Sequence, residues 1–148
     1  MKKNISFKSK FGWISVIEEE GLITNISFAK KINAGKSTIL NNFKKETNKF
    51  FLKKTKNIKA PYLFKGNSLQ RKIWKEIKKI KYGKTKSYNE IALKFKTSPR
   101  YIGRVCGQNK LLLLIPCHRV IRKDGSMGGF SASGGINLKK KLLNFEKN

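Results

Sequence analysis

Leu111-Leu112-Leu113-Leu114-Ile115-Pro116-Cys117-His118-Arg119-Val120-Ile121 is the stretch from which the rest of the chain can be read. Five consecutive aliphatic residues cannot stay in water, so the run enters a core. Pro116 ends it, and Cys117, the only histidine of the protein and Arg119 follow at once. A thiol, an imidazole and a guanidinium are thereby set at the edge of a hydrophobic interior. A thiol with its free pKa of roughly 8.5 becomes a good nucleophile when a nearby base or positive charge favours the thiolate. A carboxylate orienting His118 would complete a triad. Glu146, one of only eight acidic residues, is a candidate for that role. The chemistry alone leaves open a Cys-His hydrolase, a redox thiol and an inert buried pair.

Upstream of this stretch the chain is punctuated into short helices. Ser68 is placed to cap a helix in which Leu69, Ile73, Trp74, Ile77 and Ile80 share a face. Tyr82-Gly83-Lys84-Thr85 stops it. Ser87 caps the next helix, where Tyr88, Ile91, Ala92 and Phe95 recur at helical spacing. After the short turn Thr97-Ser98, Pro99 starts a further helix that runs to about Asn109. Two short helices with a tight turn predict a helix-turn-helix. On the second helix Arg100, Gly103, Arg104 and Gly107 fall on one side, and Ile102, Val105 and Cys106 on the other. A glycine inside a helix costs roughly 1 kcal/mol. The two glycines read either as a weak helix near its end or as a surface where a partner can approach the backbone beside two arginines. Downstream, five glycines and three serines between Arg122 and Gly135 predict a loop whose backbone can line a pocket. That loop lacks the Gly-Lys-Ser/Thr ending of a phosphate-binding loop. Leu138, Leu142, Leu143 and Phe145 mark a last amphipathic helix.

The first 65 residues read differently. Ile5 and Phe7 alternate with polar residues, and Trp13–Glu18 and Leu22–Phe28 are short apolar segments separated by glutamates and Gly21. They predict a hairpin or meander of two or three strands. Ser37 opens a helix carrying Ile39, Leu40, Phe43, Phe50 and Phe51, and the aperiodic stretch Thr55–Gly66 connects two lobes. The expected class is α+β: a small sheet-plus-helix lobe over residues 1–60, then a mostly helical lobe over residues 67–148.

Net charge is +27, from 35 basic and 8 acidic residues. Such an excess implies a polyanionic partner, nucleic acid first and anionic membrane second. Thirty of the basic residues are lysines, a bias that genome base composition alone can produce. The five arginines all lie at or after position 71, and arginine recognises phosphates and bases with fixed geometry. No apolar signal segment follows Met1-Lys2-Lys3, and no run approaches the ~20 apolar residues of a membrane span. The expectation is an intracellular chain with reduced thiols, in which Cys106 and Cys117 form no disulfide framework. Two Cys and one His are too few for a four-ligand zinc site.

Ile115–Ile121 resembles the active-site signature of the 6-O-alkylguanine-DNA alkyltransferases, also called methylated-DNA–protein-cysteine methyltransferases. The likeness runs in order from about Ser68 to Glu146. It takes in Tyr82-Gly83-Lys84-Thr85, Ser87-Tyr88, Ser98-Pro99-Arg100, and Asn109 eight residues before Cys117. Gly125–Gly135, Lys139, Leu142-Leu143 and Glu146 continue it, whereas the first 65 residues match only in size and strand-then-helix order. The resemblance implies a ribonuclease-H-like first lobe and a winged-helix or helix-turn-helix-like second lobe. It implies a cytoplasmic, monomeric repair protein that uses no cofactor and flips an alkylated guanine out of double-stranded DNA. The alkyl group would pass once, irreversibly, to Cys117, and 4-O-alkylthymine is a second substrate the resemblance admits. His118 would take the thiol proton through water, Glu146 would orient His118, and Tyr88 would protonate the departing base. Asn109 would tie the recognition helix to the active-site turn. Arg100 would fill the gap left by the flipped base. Tyr101, Gly103, Arg104 and Gly107 would meet the minor groove, with Ser87 as a further DNA contact. The carbonyls of Cys117 and Val120, with Phe130, Ser131 and Ser133, would hold the base. Phe130 stands where many members carry Tyr, Tyr101 and Arg104 are larger than usual, and Lys110 and Leu112 replace prolines. The competing expectation is a non-catalytic alkyl-lesion or general basic DNA-binding protein.

Overall fold

A computed structural model describes residues 1–129 and 134–148. Phe130, Ser131 and Ser133 of the expected base pocket lie outside the described residues. The chain forms two compact units, one of Met1–Lys65 with Lys110–Leu114, the other of Gly66–Asn109 with Ile115–Asn148. Among the described residues no helix is long and apolar enough to cross a membrane.

In the first unit β1 (Lys2–Ser9), β2 (Gly12–Glu19) and β3 (Leu22–Ser27) make an antiparallel meander in sequence order. Glu20 and Gly21, at φ 55° and 82°, form the two-residue turn between β2 and β3. Two positive φ values are what a hairpin turn matching strand twist requires. The Glu18 carboxylate accepts the Gly21 N–H at 3.0 Å and the Ser37 hydroxyl at 2.8 Å. Ser37 in turn caps α1 (Thr38–Phe51) by accepting the Leu40 N–H. Leu40, Phe43 and Phe50 recur at helical spacing and pack with Ile14, Val16, Ile23 and Ile26 of the sheet. Leu111–Leu114 belongs to this core. The Ile26 N–H donates to the Lys110 carbonyl at 2.8 Å, and Leu111, Leu112 and Leu114 are buried. The aliphatic run expected in the second lobe is therefore divided, and only Ile115 onward belongs to the second unit. The break falls near Leu113, whose backbone takes a left-handed φ of 72°.

The second unit contains α2 (Ser68–Lys78), β4 (Lys86–Ser87), α3 (Tyr88–Phe95) and α4 (Pro99–Gly107). A 3-10 turn (Cys117–Arg119), β5 (Val120–Ile121) and α5 (Gly135–Lys147) follow. Asn67, not the expected Ser68, caps α2: its side chain accepts the Gln70 N–H while Gln70 accepts the Asn67 N–H. Asparagine caps as well as serine does, and the glutamine three residues on completes the reciprocal pair. Leu69, expected on the apolar face, is exposed. Ser87 caps α3 with Glu90 as its reciprocal partner, and Lys96 ends α3 in the left-handed region. Ser98 caps α4 and Pro99 opens it. The turn 96–98 thus joins two short helices as expected. The Trp74 indole N–H donates to the Val105 carbonyl at 3.0 Å and ties α2 to α4. β5 runs parallel to β4, pairing Lys86 with Val120 and Ser87 with Ile121.

Candidate active site

Cys117 opens the 3-10 turn and is buried. The Arg119 N–H donates to the Pro116 carbonyl and the Val120 N–H to the Cys117 carbonyl. Cys117, His118 and Arg119 are thereby held in one tight turn. Asn109, just beyond α4, reaches back into it. Its Nδ2 donates to the Ile115 carbonyl at 2.9 Å and to Cys117 Sγ at 3.3 Å. The end of α4 and the thiol are thus held by one amide group.

Behind the thiol is a buried polar cluster. His118 Nε2 lies 2.8 Å from Glu146 Oε2. Arg119 grips the same carboxylate in a fork, Nε to Oε1 and Nη2 to Oε2, each at 2.9 Å, and its Nη1 donates to the Ile80 carbonyl at 2.8 Å. Burial pushes the Glu146 carboxyl up, but the hydrogen bonds and charges of His118 and Arg119 outweigh it and bring the pKa down to about 2. An ionised carboxylate can only accept, so His118 Nε2 carries its hydrogen and Nδ1 keeps a lone pair. Burial holds the His118 pKa below its usual value, with Glu146 opposing. The imidazole is therefore neutral at pH 7 and free to accept a proton.

A second buried cation lies nearby. Lys139 Nζ, fully enclosed, donates to the Val120 carbonyl at 2.6 Å and to Tyr88 Oη and the Gly129 carbonyl at 3.2 Å each. Burial brings its pKa down to about 8. Burial, with the neighbouring Cys106 and Cys117, pushes the Tyr88 hydroxyl up to about 12, so it stays protonated. Gly128, at φ 68°, lies so close over Tyr88 that a Cβ there would come within 2.7 Å of Oη. Any larger residue would displace the tyrosine.

A pocket of about 570 Å³ opens onto this arrangement. Cys117, Cys106, Tyr88 and Asn89 line it together with Arg100, Gly103 and Gly107 of α4, and Arg122, Lys123, Gly128 and Gly129 complete the wall. His118 and Glu146 are buried and do not line it. The Cys117 thiol is pushed well above its ordinary pKa, by the facing Cys106 thiol and then by burial, while Asn109 and Lys139 pull the other way. It is protonated at rest.

The expected DNA face of α4 is open. Arg100, Arg104 and Gly107 are exposed, and Tyr101 and Gly103 are half-buried. A Cβ on Gly103 would meet its nearest atom at 3.9 Å, and one on Gly107 would meet nothing within 4 Å. Packing inside the protein demands glycine at neither position. The Ser87 hydroxyl is engaged as the cap of α3. The Cys117 and Val120 carbonyls, expected to hold the base, each already accept one bond from within the chain, and each retains a second lone pair.

Three contributors escaped the sequence reading: the Arg119 fork, the Lys139 cage and the proximity of Cys106 to Cys117. For Lys139 a signal existed. Lys139, Leu142, Leu143 and Glu146 stand at helical spacing on the buried side of α5, and a charge in register with an apolar stripe must be paired. Among the described residues no group of three or more His, Cys, Asp or Glu could hold a metal ion.

Residues 68–148 match the family model described as 6-O-methylguanine DNA methyltransferase, DNA binding domain. A methylated-DNA–protein-cysteine methyltransferase of Metallosphaera sedula is 38% identical over 146 residues, covering 95% of this chain and 90% of the relative. A protein of the same name from Sulfolobus acidocaldarius is 40% identical over 143 residues, with the same coverage. The crystal structure of Mycobacterium tuberculosis OGT in complex with DNA superposes with a TM-score of 0.87 at 27% identity, covering 97% of this chain and 92% of that one. An O6-methylguanine-DNA methyltransferase structure from Pyrococcus kodakaraensis shares the α+β fold, with a TM-score of 0.76 at 22% identity and full coverage of both chains.

Proposed function

The chain belongs to the 6-O-methylguanine-DNA methyltransferase family of DNA-repair alkyltransferases, and from that premise we propose that Cys117 is the one-time acceptor of an alkyl group from guanine in double-stranded DNA. The observation that carries the reading is the Cys117 thiol in the pocket wall, held by Asn109 and backed by a neutral His118 on an ionised Glu146. A flipped base enters the pocket, so the alkyl carbon need not be reached inside the stack. The Cys117 proton passes, relayed by water, to His118 Nδ1. Glu146, kept ionised by Arg119, stabilises the imidazolium that forms. Sγ attacks the alkyl carbon, the carbon–oxygen bond breaks, and the pair of that bond leaves on the guanine oxygen. Tyr88 donates a proton to the departing base. Lys139 donates to Tyr88 Oη, so the tyrosine hydrogen is free to point at the base, and the ammonium stabilises the phenolate left behind. The product is a thioether that water does not cleave, and each molecule therefore acts once.

The bare face of α4 supports a docking role for this helix. Gly103 and Gly107 leave room for a groove to approach the backbone, and Arg100 at the pocket edge is placed to fill the stack after flipping. Tyr101 and Arg104 flank that approach. Two free cysteines and a DNA substrate support work in the cytoplasm. Since one chain supplies the thiol, base, acid and arginine, it acts as a monomer.

The reading is tested by titrating a duplex bearing one 6-O-methylguanine with protein. Lesions repaired should equal molecules of protein added, and Cys117→Ala should repair none while still binding the duplex. Repair of several lesions per molecule, as a hydrolase would give, excludes it.

A further inference from the structure

The mechanism leaves one nucleophile of the pocket unused. Cys106 lies in the last turn of α4, buried, and lines the same pocket as Cys117. Both thiols belong to one wall of that pocket, and the Cys106 thiol is the neighbour that acts most strongly on Cys117. The next residue, Gly107, carries no side chain and has open space around it, so no side chain there screens this helix end from a small solute. A pocket that admits a base admits a peroxide.

We infer that Cys106 is a resolving thiol, which closes a reversible disulfide onto Cys117 when a hydroperoxide oxidises the acceptor cysteine. Cys117 is oxidised first: it is the thiol to which Asn109 donates and whose proton His118 takes through water in the mechanism proposed above. The Cys117 thiolate attacks one peroxide oxygen, the oxygen–oxygen bond breaks, and a sulfenic acid and water (or an alcohol) result. The Cys106 thiolate then attacks the sulfenic sulfur, the sulfur–oxygen bond breaks, and a second water leaves. Two thiols have lost two electrons and the peroxide has gained them. An external dithiol reverses the bond by exchange. A sulfur held this way escapes the sulfinic and sulfonic states from which no thiol returns. That the disulfide pauses alkyl transfer rests on the function proposed above; its formation does not.

The test uses the full chain, hydrogen peroxide and intact-mass measurement with peptide mapping. The monomer should lose two hydrogen masses and yield one peptide pair cross-linked through Cys106 and Cys117, and a dithiol reductant should restore the starting mass. After reduction, methyl transfer from a 6-O-methylguanine duplex should return to its untreated extent. In Cys106→Ala and Cys106→Ser, Cys117 should instead gain oxygen atoms and transfer should not return. Added oxygen on Cys117 of the unsubstituted chain without a cross-link, a cross-link between two chains, or equal recovery in the Cys106 variants would overturn the inference. The mass readout needs no DNA, so even a chain that transfers no methyl group reveals whether the disulfide forms.

Discussion

The second unit sets two regions of opposite character side by side. Around Glu146 the ionisable groups are buried and hydrogen-bonded: His118 and the Arg119 fork on one carboxylate, with Lys139 on three oxygens nearby. Along the outer face of α4, Arg100 and Arg104 are exposed, and Gly103 and Gly107 carry nothing to pair. Buried charge is costly unless its geometry is complete, so the first region can hold a proton-accepting imidazole in one place and one tautomer. The second contributes little to its own fold and is left free for a partner. Substitutions should separate the two, the first acting mainly through stability and chemistry and the second through affinity.

The largest effect falls on the cluster. Glu146→Ala strands Arg119 and His118 in the interior, and chemical denaturation should show a loss of about 3–5 kcal/mol in unfolding free energy. A loss below about 1 kcal/mol, the range of a surface pair, would show that the cluster does not hold the fold together. Next is acid. The Glu146 carboxyl titrates near 4.5 unfolded and about 2 folded. The unfolded state therefore binds its proton first as pH falls. The contribution is fully present above 4.5 and is lost on the way down to 2, worth about 3 kcal/mol in all. A melting-temperature series against pH should show this slope, and Glu146→Gln should flatten it.

Smaller effects belong to α4. Arg104→Ala should leave unfolding free energy within about 0.5 kcal/mol. It should weaken duplex binding and lower the salt slope by about 1, as for one lost phosphate contact. An unchanged slope would remove Arg104 from the DNA face. Smallest is Gly103→Ala, which has room for its Cβ and should stabilise the protein by about 0.5–1 kcal/mol. The same methyl group should weaken duplex binding, and a variant that is both more stable and equally tight would contradict a close approach at that position.

The contrast also accounts for what could be read in advance. The α4 face was legible because period and composition are local properties: Pro99, the two arginines and the two glycines announce themselves within nine residues. Ser37, Ser87 and the alternation of Ile5 and Phe7 with polar residues are local in the same way. The cluster was only half legible. Cys117 and His118 stand together in the chain, and Glu146 could be named from resemblance. The Arg119 fork, the Ile80 carbonyl and the three acceptors of Lys139 are created by chain segments far apart in sequence, and no periodicity reports such pairing. Leu111–Leu114 shows a third limit. Hydrophobicity placed it in a core correctly but could not say that the core belongs to the other unit.

The most direct measurement is the mass of the protein after incubation with a duplex carrying one 6-O-methylguanine. The account predicts a gain of one methyl group per molecule, located on the peptide containing Cys117, with guanine restored in the DNA and no second addition. A repaired duplex with an unmodified Cys117, or a methyl group on any other residue, would contradict it.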